Sequence, residues 1–141
     1  MNTIENQNTI FPLGERTPAE YFTGKAYLKL LVEQDETGSY RVANVVFEPG
    51  SRTNWHTHAA GQILLITQGK GYYQEKGKAA RLLTKGDTVI IPSQVEHWHG
   101  AAHDSSFTHI AITNNSTQGS VQWLTAVTDD EYYSCQENHG F

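Results

Sequence analysis

The sequence predicts an all-β fold, an antiparallel sandwich or barrel, from two observations. Short runs of strand-forming residues recur through the middle of the chain, and turns rich in glycine or proline separate them. Many short strands at regular spacing are typical of these folds. The runs are residues 45–47, 63–67, 71–74, 88–91 and 107–112, and turns follow or precede them at residues 48–50, 61, 69–71, 76–78, 85–87 and 91–93.

Two short peripheral helices are predicted from end signals, because neither segment has a clear helical periodicity. Residues 17–20, Thr-Pro-Ala-Glu, combine a capping residue, a proline suited to the first helical position and a glutamate that can reach back to the cap. Gly24 could end this helix. Residues 128–131, Thr-Asp-Asp-Glu, repeat the capping pattern near the end of the chain.

Length and composition favour one domain and exclude several classes of function. The chain has 141 residues, no apolar run approaching the roughly 20 residues of a membrane span, and a polar start unlike a secretory signal, so we expect a cytoplasmic protein with no membrane partner. The net charge is -5 and the ten basic residues are scattered, which argues against nucleic acid. The single cysteine, Cys135, is expected to be an ordinary thiol.

Histidines are concentrated in one part of the chain. Five of the seven, at positions 56, 58, 97, 99 and 103, fall within fewer than 50 residues. In an extended strand His56 and His58 share a face and can present their imidazoles to one point. On its own such a pair could equally be two solvent-exposed histidines that bind nothing. The pair is followed, however, by Gln62 at the start of an apolar strand, where a buried amide needs a partner.

The spacing of these residues resembles the two sequence motifs of the cupins. The first motif reads Gly50, His56-Thr57-His58, Gln62 and Gly69, the second reads Gly86, Pro92 and His97, and 16 residues separate them. The chain departs from the pattern at Gln94, in place of a glycine, and at Ala101, in place of an asparagine. A third departure bears on chemistry, because Gln62 replaces the usual glutamate with a neutral oxygen.

The resemblance implies a cupin double-stranded β-helix, or jelly-roll barrel, with short peripheral helices. The resemblance covers a core at residues 42–112. Length and the absence of a linker predict one domain over residues 1–141, and loose ends are expected at about 1–10 and 136–141. The resemblance also implies one divalent metal ion per chain, held by His56, His58, Gln62 and His97. Manganese is the expected metal, and iron, nickel and zinc also suit three imidazoles and one oxygen. A neutral glutamine leaves more of the ion's charge uncancelled, which favours an anionic ligand.

Residues 47–58, 96–101 and 108–112, with Trp123, are similar to a group of small bacterial cupins that includes manganese-dependent hydroxynitrile lyases. That resemblance implies a lyase acting on a small hydroxy or carbonyl compound, with the metal as Lewis acid and His109 as general base. His99, two residues beyond His97, is expected to face the same cavity. His109 could instead be a core histidine without a catalytic role.

Two other functions remain open from the sequence. An iron-dependent dioxygenase would use a similar set of ligands, and a non-enzymatic module that binds or senses a small molecule would need no catalytic base. In each case the expected partner is a small molecule. Strand-like residues 25–32 could also pair at an exposed edge with a second copy, which predicts a homo-oligomer, most simply a dimer.

Overall fold

A computed structural model describes residues 10–32, 40–114 and 121–137. These residues form twelve strands and one helix. The strands are β1 (Glu15–Arg16), β2 (Phe22–Thr23), β3 (Ala26–Val32), β4 (Tyr40–Phe47), β5 (Arg52–Thr53), β6 (His56–His58), β7 (Gln62–Glu75), β8 (Arg81–Thr84), β9 (Thr88–Ile91), β10 (His97–Ala101), β11 (Phe107–Asn114) and β12 (Val121–Trp123), and the helix is α1 (Asp129–Glu137).

The sheet is entirely antiparallel and curls around the 14-residue strand β7. The first part of β7 pairs with β11 and β9, and its second part pairs with β10 and β8. From β11 the order continues through β4 and β3 to β1, whereas β10 continues to β5 and β2. One long strand therefore joins two walls of the barrel, and the expected all-β jelly-roll architecture is confirmed.

Only one of the two predicted helices forms. Residues 17–20 make a single turn, closed by the Tyr21 backbone N–H donating to the Pro18 carbonyl at 3.2 Å, so the helix predicted there is wrong. The capping signals are local, whereas the next residues pair with β5 in register Phe22 to Thr53. Strand pairing and burial of the Phe22 ring against Phe47 override the helical signal.

The helix predicted near the chain end is α1, and its capping box is formed. Thr128 Oγ1 accepts from the Glu131 backbone N–H at 3.1 Å, and a Glu131 carboxylate oxygen accepts from the Thr128 N–H at 2.9 Å. Gln136, expected to be loose, lies in the last turn and is buried, where it accepts from the His103 N–H. Of the other residues expected to be loose, Ile10 is exposed and Glu137 is the last residue of α1, whereas residues 1–9 and 138–141 lie outside the described part of the chain.

Two apolar clusters support the fold. One fills the barrel around Phe47, Leu64 and Phe107. The other lies outside the sheet under α1 and holds Trp55 and Trp98, which point away from the histidines that alternate with them. Burial among these residues raises the pKa of the Cys135 thiol to about 11, consistent with an unreactive thiol. No helix in the described residues is both long and apolar enough to cross a membrane.

Candidate metal and catalytic site

An open cavity of about 390 Å³ enters the barrel beside the histidine cluster. Residues from ten of the strands line it, and the predicted site residues among them are His56, His58, Gln62, His99 and His109. They face inward because successive residues of a strand alternate between its two faces. The alternation places Leu64 and Ile66 in the core on the same side as Gln62, as predicted.

His56 and His97 are direct neighbours across the pairing of β6 and β10. Their residues are in register, and the ring centroids are 4.2 Å apart. His56 Nδ1 lies 2.9 Å from the Asn54 carbonyl oxygen, and His97 Nδ1 lies 2.8 Å from that of Val95. A carbonyl can only accept, so both Nδ1 atoms carry the proton. The Nε2 lone pairs are therefore free, and backbone contacts fix both rings as they do in metal sites.

His58 and Gln62 contribute buried polar atoms that have no partner among the described residues. Neither ring nitrogen of His58 makes a well-formed hydrogen bond, although the Gln62 side chain is near enough to oppose the lowering of its pKa by burial. Its ring centroid is 5.0 Å from that of His56 and 5.6 Å from that of His97. The Gln62 amide nitrogen donates to Thr113 Oγ1 at 3.0 Å, which leaves its oxygen unpaired. Thr113 thereby orients the amide with its oxygen available as a ligand.

His99 and His109 form a hydrogen-bonded pair. His109 Nε2 lies 3.1 Å from His99 Nδ1, while the other ring nitrogen of each has no partner among the described residues. The His109 ring packs against Phe47 and Phe107, with centroids 5.4 and 5.6 Å away. A register shift in the pairing of β7 with β11 occurs between Thr108 and His109. Such an irregularity commonly re-aims a side chain next to a functional site.

The structure brings the predicted residues together, and it also places His99, which is outside the predicted ligand set, close to two of its histidines. By ring centroids, His58 is 5.0 and 5.6 Å from His56 and His97, and His99 is 5.3 and 5.8 Å from them. One ring nitrogen from each of His56, His97 and His99 lies within 4.8 Å of the other two, and all three residues are buried. His58 and Gln62 border the same cavity outside that grouping. Several buried nitrogens without partners are costly in a dry site, and a metal ion would satisfy them. The described histidines could therefore hold a metal ion.

Burial keeps these imidazoles neutral. It lowers the pKa of His58 to about 4, that of His97 to about 4 and that of His109 to about 3. For His56 and His99, burial and the charge of neighbouring histidines hold the pKa well below the usual value of 6.5. A neutral imidazole is the form that binds a metal or accepts a proton.

These lowered pKa values predict that the metal-free protein loses stability in mild acid. For His58 and His97 the folded-state pKa is about 4 and the unfolded value is about 6.5, so the unfolded chain binds more protons between these pH values. The contribution of each histidine to the free energy of unfolding is fully present above about pH 6.5. This free energy falls as the pH drops, by on the order of 2 kcal/mol for each residue at pH 5. Urea unfolding of chelator-treated protein at pH 7 and 5 measures this loss.

A double variant, His58→Asn with His97→Asn, provides the control. It should show a smaller difference between the two pH values than the wild-type chain, because two of the titrating groups are gone. Equal free energies of unfolding at pH 7 and 5 for the wild type would show that these histidines can be protonated within the fold.

One wall of the cavity is aromatic, and the sequence did not predict it. The Trp123 ring stacks on Tyr21 at 4.7 Å, lies 5.9 Å from Phe22 and is 4.8 Å from the His56 ring. Trp123 arrives through the pairing of β12 with β6, in register with His56. Since that pairing joins residues far apart in sequence, no local pattern indicates it. Arg41 was also missed, although its alternation with Ala43 could have placed it on the inner face.

The barrel and its inward-facing histidines define the class of the protein. The family model for the cupin domain matches residues 43–113, half of the chain, and the chain belongs to the cupin family. It is 40% identical over 115 residues to an (R)-mandelonitrile lyase of Granulicella tundricola, covering 82% of this chain and 88% of that protein.

Solved structures agree with this fold. A cupin-like protein of Thermotoga maritima is 49% identical, with a TM-score of 0.87 over 91% of this chain and 97% of that one. A cupin-2 domain protein of Rhodospirillum rubrum is similar with a TM-score of 0.69, covering 93% of this chain and 86% of that chain. It is only 16% identical, so it supports the architecture alone.

Proposed function

We propose that this cupin is a metal-dependent lyase that cleaves a small hydroxy compound to a carbonyl compound, as in the breakdown of a cyanohydrin to an aldehyde and hydrogen cyanide. The observation that carries the proposal is the cluster of neutral, buried imidazoles at the wall of an open cavity. The 40% identity to an (R)-mandelonitrile lyase supports the type of reaction.

His56, His58, Gln62 and His97 would hold the metal. The fixed Nδ1 protons of His56 and His97 direct their Nε2 lone pairs to one region, and Thr113 leaves the Gln62 oxygen free. When bound, a divalent ion, manganese in this proposal, would supply Lewis acidity toward the substrate oxygen. His99 is close enough to His56 and His97 to bind the metal in place of His58 and Gln62.

His109 and His99 would handle the substrate proton. As the carbon–carbon bond breaks, cyanide leaves with the bonding electron pair, and the hydroxyl oxygen loses its proton and becomes the carbonyl oxygen. The proton would pass through the imidazole to the departing cyanide, which gives hydrogen cyanide. A neutral imidazole in the cavity wall can accept that proton, and His109 is neutral because it is fully buried. The 3.1 Å contact between the two rings lets the pair share one proton and fixes the orientation of both rings.

A substrate assay with and without oxygen tests the proposal against the two alternatives. Purified protein loaded with manganese or iron would be given mandelonitrile, and benzaldehyde and cyanide would be measured. Cleavage that needs the metal but not oxygen is the expected result. Oxygen uptake on any hydroxy or carbonyl substrate would instead support a dioxygenase. Tight binding of substrates without turnover would support a sensing module.

We predict that Gln62→Glu binds the metal more tightly but changes or lowers turnover. The Gln62 oxygen has no hydrogen-bond partner among the described residues, so a carboxylate there would add charge attraction and cancel part of the ion's charge. Metal affinity and turnover would be measured on the same preparation. Gln68→Glu, on the same strand but not in the cavity wall, is the matched control. Weaker metal binding in the Gln62 variant would show that this side chain does not face the ion.

We also propose that the protein is a homo-oligomer, most simply a dimer. β1 pairs with β3 only at Tyr27 and Leu28, so within the described residues the following part of β3 has no strand on that side. Val32 in this part is exposed. Exposed edges of this kind are often paired with a second copy. Analytical ultracentrifugation should show a dimer or larger species at micromolar concentration, and a purely monomeric protein would contradict the proposal.

A cytoplasmic location stays a prediction.

A further inference from the structure

An arginine lies on the inner face of the barrel at the end of β4. Arg41, Ala43, Val45 and Phe47 all border the cavity, as expected for alternate residues of one strand. Arg41 pairs in register with Thr113, whose hydroxyl holds the Gln62 amide. Arg41 therefore borders the same cavity as the proposed metal ligands, and it lies at the exposed end of β4.

Arg41 has no hydrogen bond or ion pair with another residue in the described parts of the chain. The charged groups that border the cavity in these parts are Arg16, Arg41 and the carboxylate Glu15. The cavity wall thus carries a net positive charge before any metal is bound. A guanidinium in a cavity wall with no protein carboxylate bound to it is suited to bind a carboxylate of a ligand through two parallel hydrogen bonds.

The distance between Arg41 and the His99–His109 pair limits the size of a ligand that could contact both. In β11 the partner of Arg41, Thr113, lies four residues from His109, which is about 13 Å along a strand. Ala43 and Ala111, with the smallest side chains that border this stretch of the cavity, leave room between the two ends.

We propose that the natural substrate of this lyase is a small hydroxy acid whose carboxylate binds Arg41 while its hydroxyl oxygen faces the histidine cluster. This inference rests on the proposed function and narrows its substrate class. The neutral Gln62 fits it, because no protein carboxylate is added to the ligand set where an anionic substrate must enter. The aromatic wall at Trp123 would contact the uncharged part of the molecule.

Binding of two probes that differ in charge tests the inference. Mandelate and mandelamide share the ring and the hydroxyl group, and only mandelate carries a carboxylate. Calorimetric titration of metal-loaded protein should show that Arg41→Gln weakens mandelate binding by about 10- to 100-fold, the usual effect of losing charge-assisted hydrogen bonds, with little change for mandelamide. Arg81→Gln, an exposed arginine outside the cavity wall, is the matched control for net charge.

Titrations of metal-free protein separate the role of the arginine from that of the ion. The selective effect of Arg41→Gln on mandelate should persist without metal. Equal weakening of both probes, a loss no larger than in Arg81→Gln, or no measurable mandelate binding to the wild type would overturn the inference. If the wild-type protein cleaves mandelonitrile but fails this test, only the inferred carboxylate substrate is rejected. If the wild-type protein does not cleave mandelonitrile, the proposed function is rejected whatever the binding result.

Discussion

His97→Ala is expected to abolish metal binding and turnover while the protein stays folded. His97 lies in register with His56, and its Nε2 has no partner among the described residues although it is buried. The apolar core around Phe47 and Leu64 does not depend on this imidazole. Elemental analysis should find less than about one-tenth of an equivalent of metal, and circular dichroism should show an unchanged β-sheet signal. His56→Ala should behave in the same way.

Comparing His58→Ala with His99→Ala decides between the two ligand groupings. If His58 and Gln62 complete the site, His58→Ala loses the metal and His99→Ala keeps it. If the tight grouping of His56, His97 and His99 is the site, the results are reversed. A full equivalent of metal in His97→Ala would contradict both groupings. The surface residue His103, which is exposed and bonded to Gln136, offers a neutral control as His103→Ala.

The fold could be predicted from the sequence because its signals are local and repeated. Strand-forming runs between glycine turns place β4, β9 and β11, and the capping box places α1. The turn predicted at residues 69–71 is wrong, because the two runs on either side of it form one continuous strand, β7, whose residues 69–71 are paired with neighbouring strands. The same kind of signal was wrong at residues 17–20, where pairing of Phe22 with Thr53 overrides the capping residues. End signals of a helix are worth about 1 kcal/mol, which burial of an aromatic side chain in a sheet can exceed.

The histidines of the site could be predicted because strand alternation places them on one face. Their relative distances could not, because they depend on how β6, β10 and β11 curl toward each other. The spacing predicted that His99 faces the cavity, but not that its ring nitrogen lies within 4.8 Å of one in each of His56 and His97. Trp123 and Thr113 are brought to the cavity by pairings with β6 and β7, which no local pattern encodes.

His109→Ala is expected to keep its metal and lose about 10²–10⁴-fold in turnover, the usual contribution of a positioned general base. The residue borders the cavity, bonds His99 at 3.1 Å and is not in the proposed ligand set. Metal content, melting temperature and turnover would be measured on one preparation. Ile110→Ala, which shortens the next side chain of β11 on the outward face, controls for truncation in this strand.

A core histidine without a catalytic role gives the opposite result for His109→Ala. The fully buried ring packs against Phe47 and Phe107, so its removal leaves a cavity and an unpaired His99 Nδ1. In that case stability would fall by roughly 1–3 kcal/mol while turnover per folded, metal-loaded molecule is retained. Both effects can occur together, so the turnover of the folded and metallated fraction is the deciding quantity. If that turnover is undiminished, His109 is not the base, and the free Nε2 of His99 becomes the group in the cavity that can accept the proton.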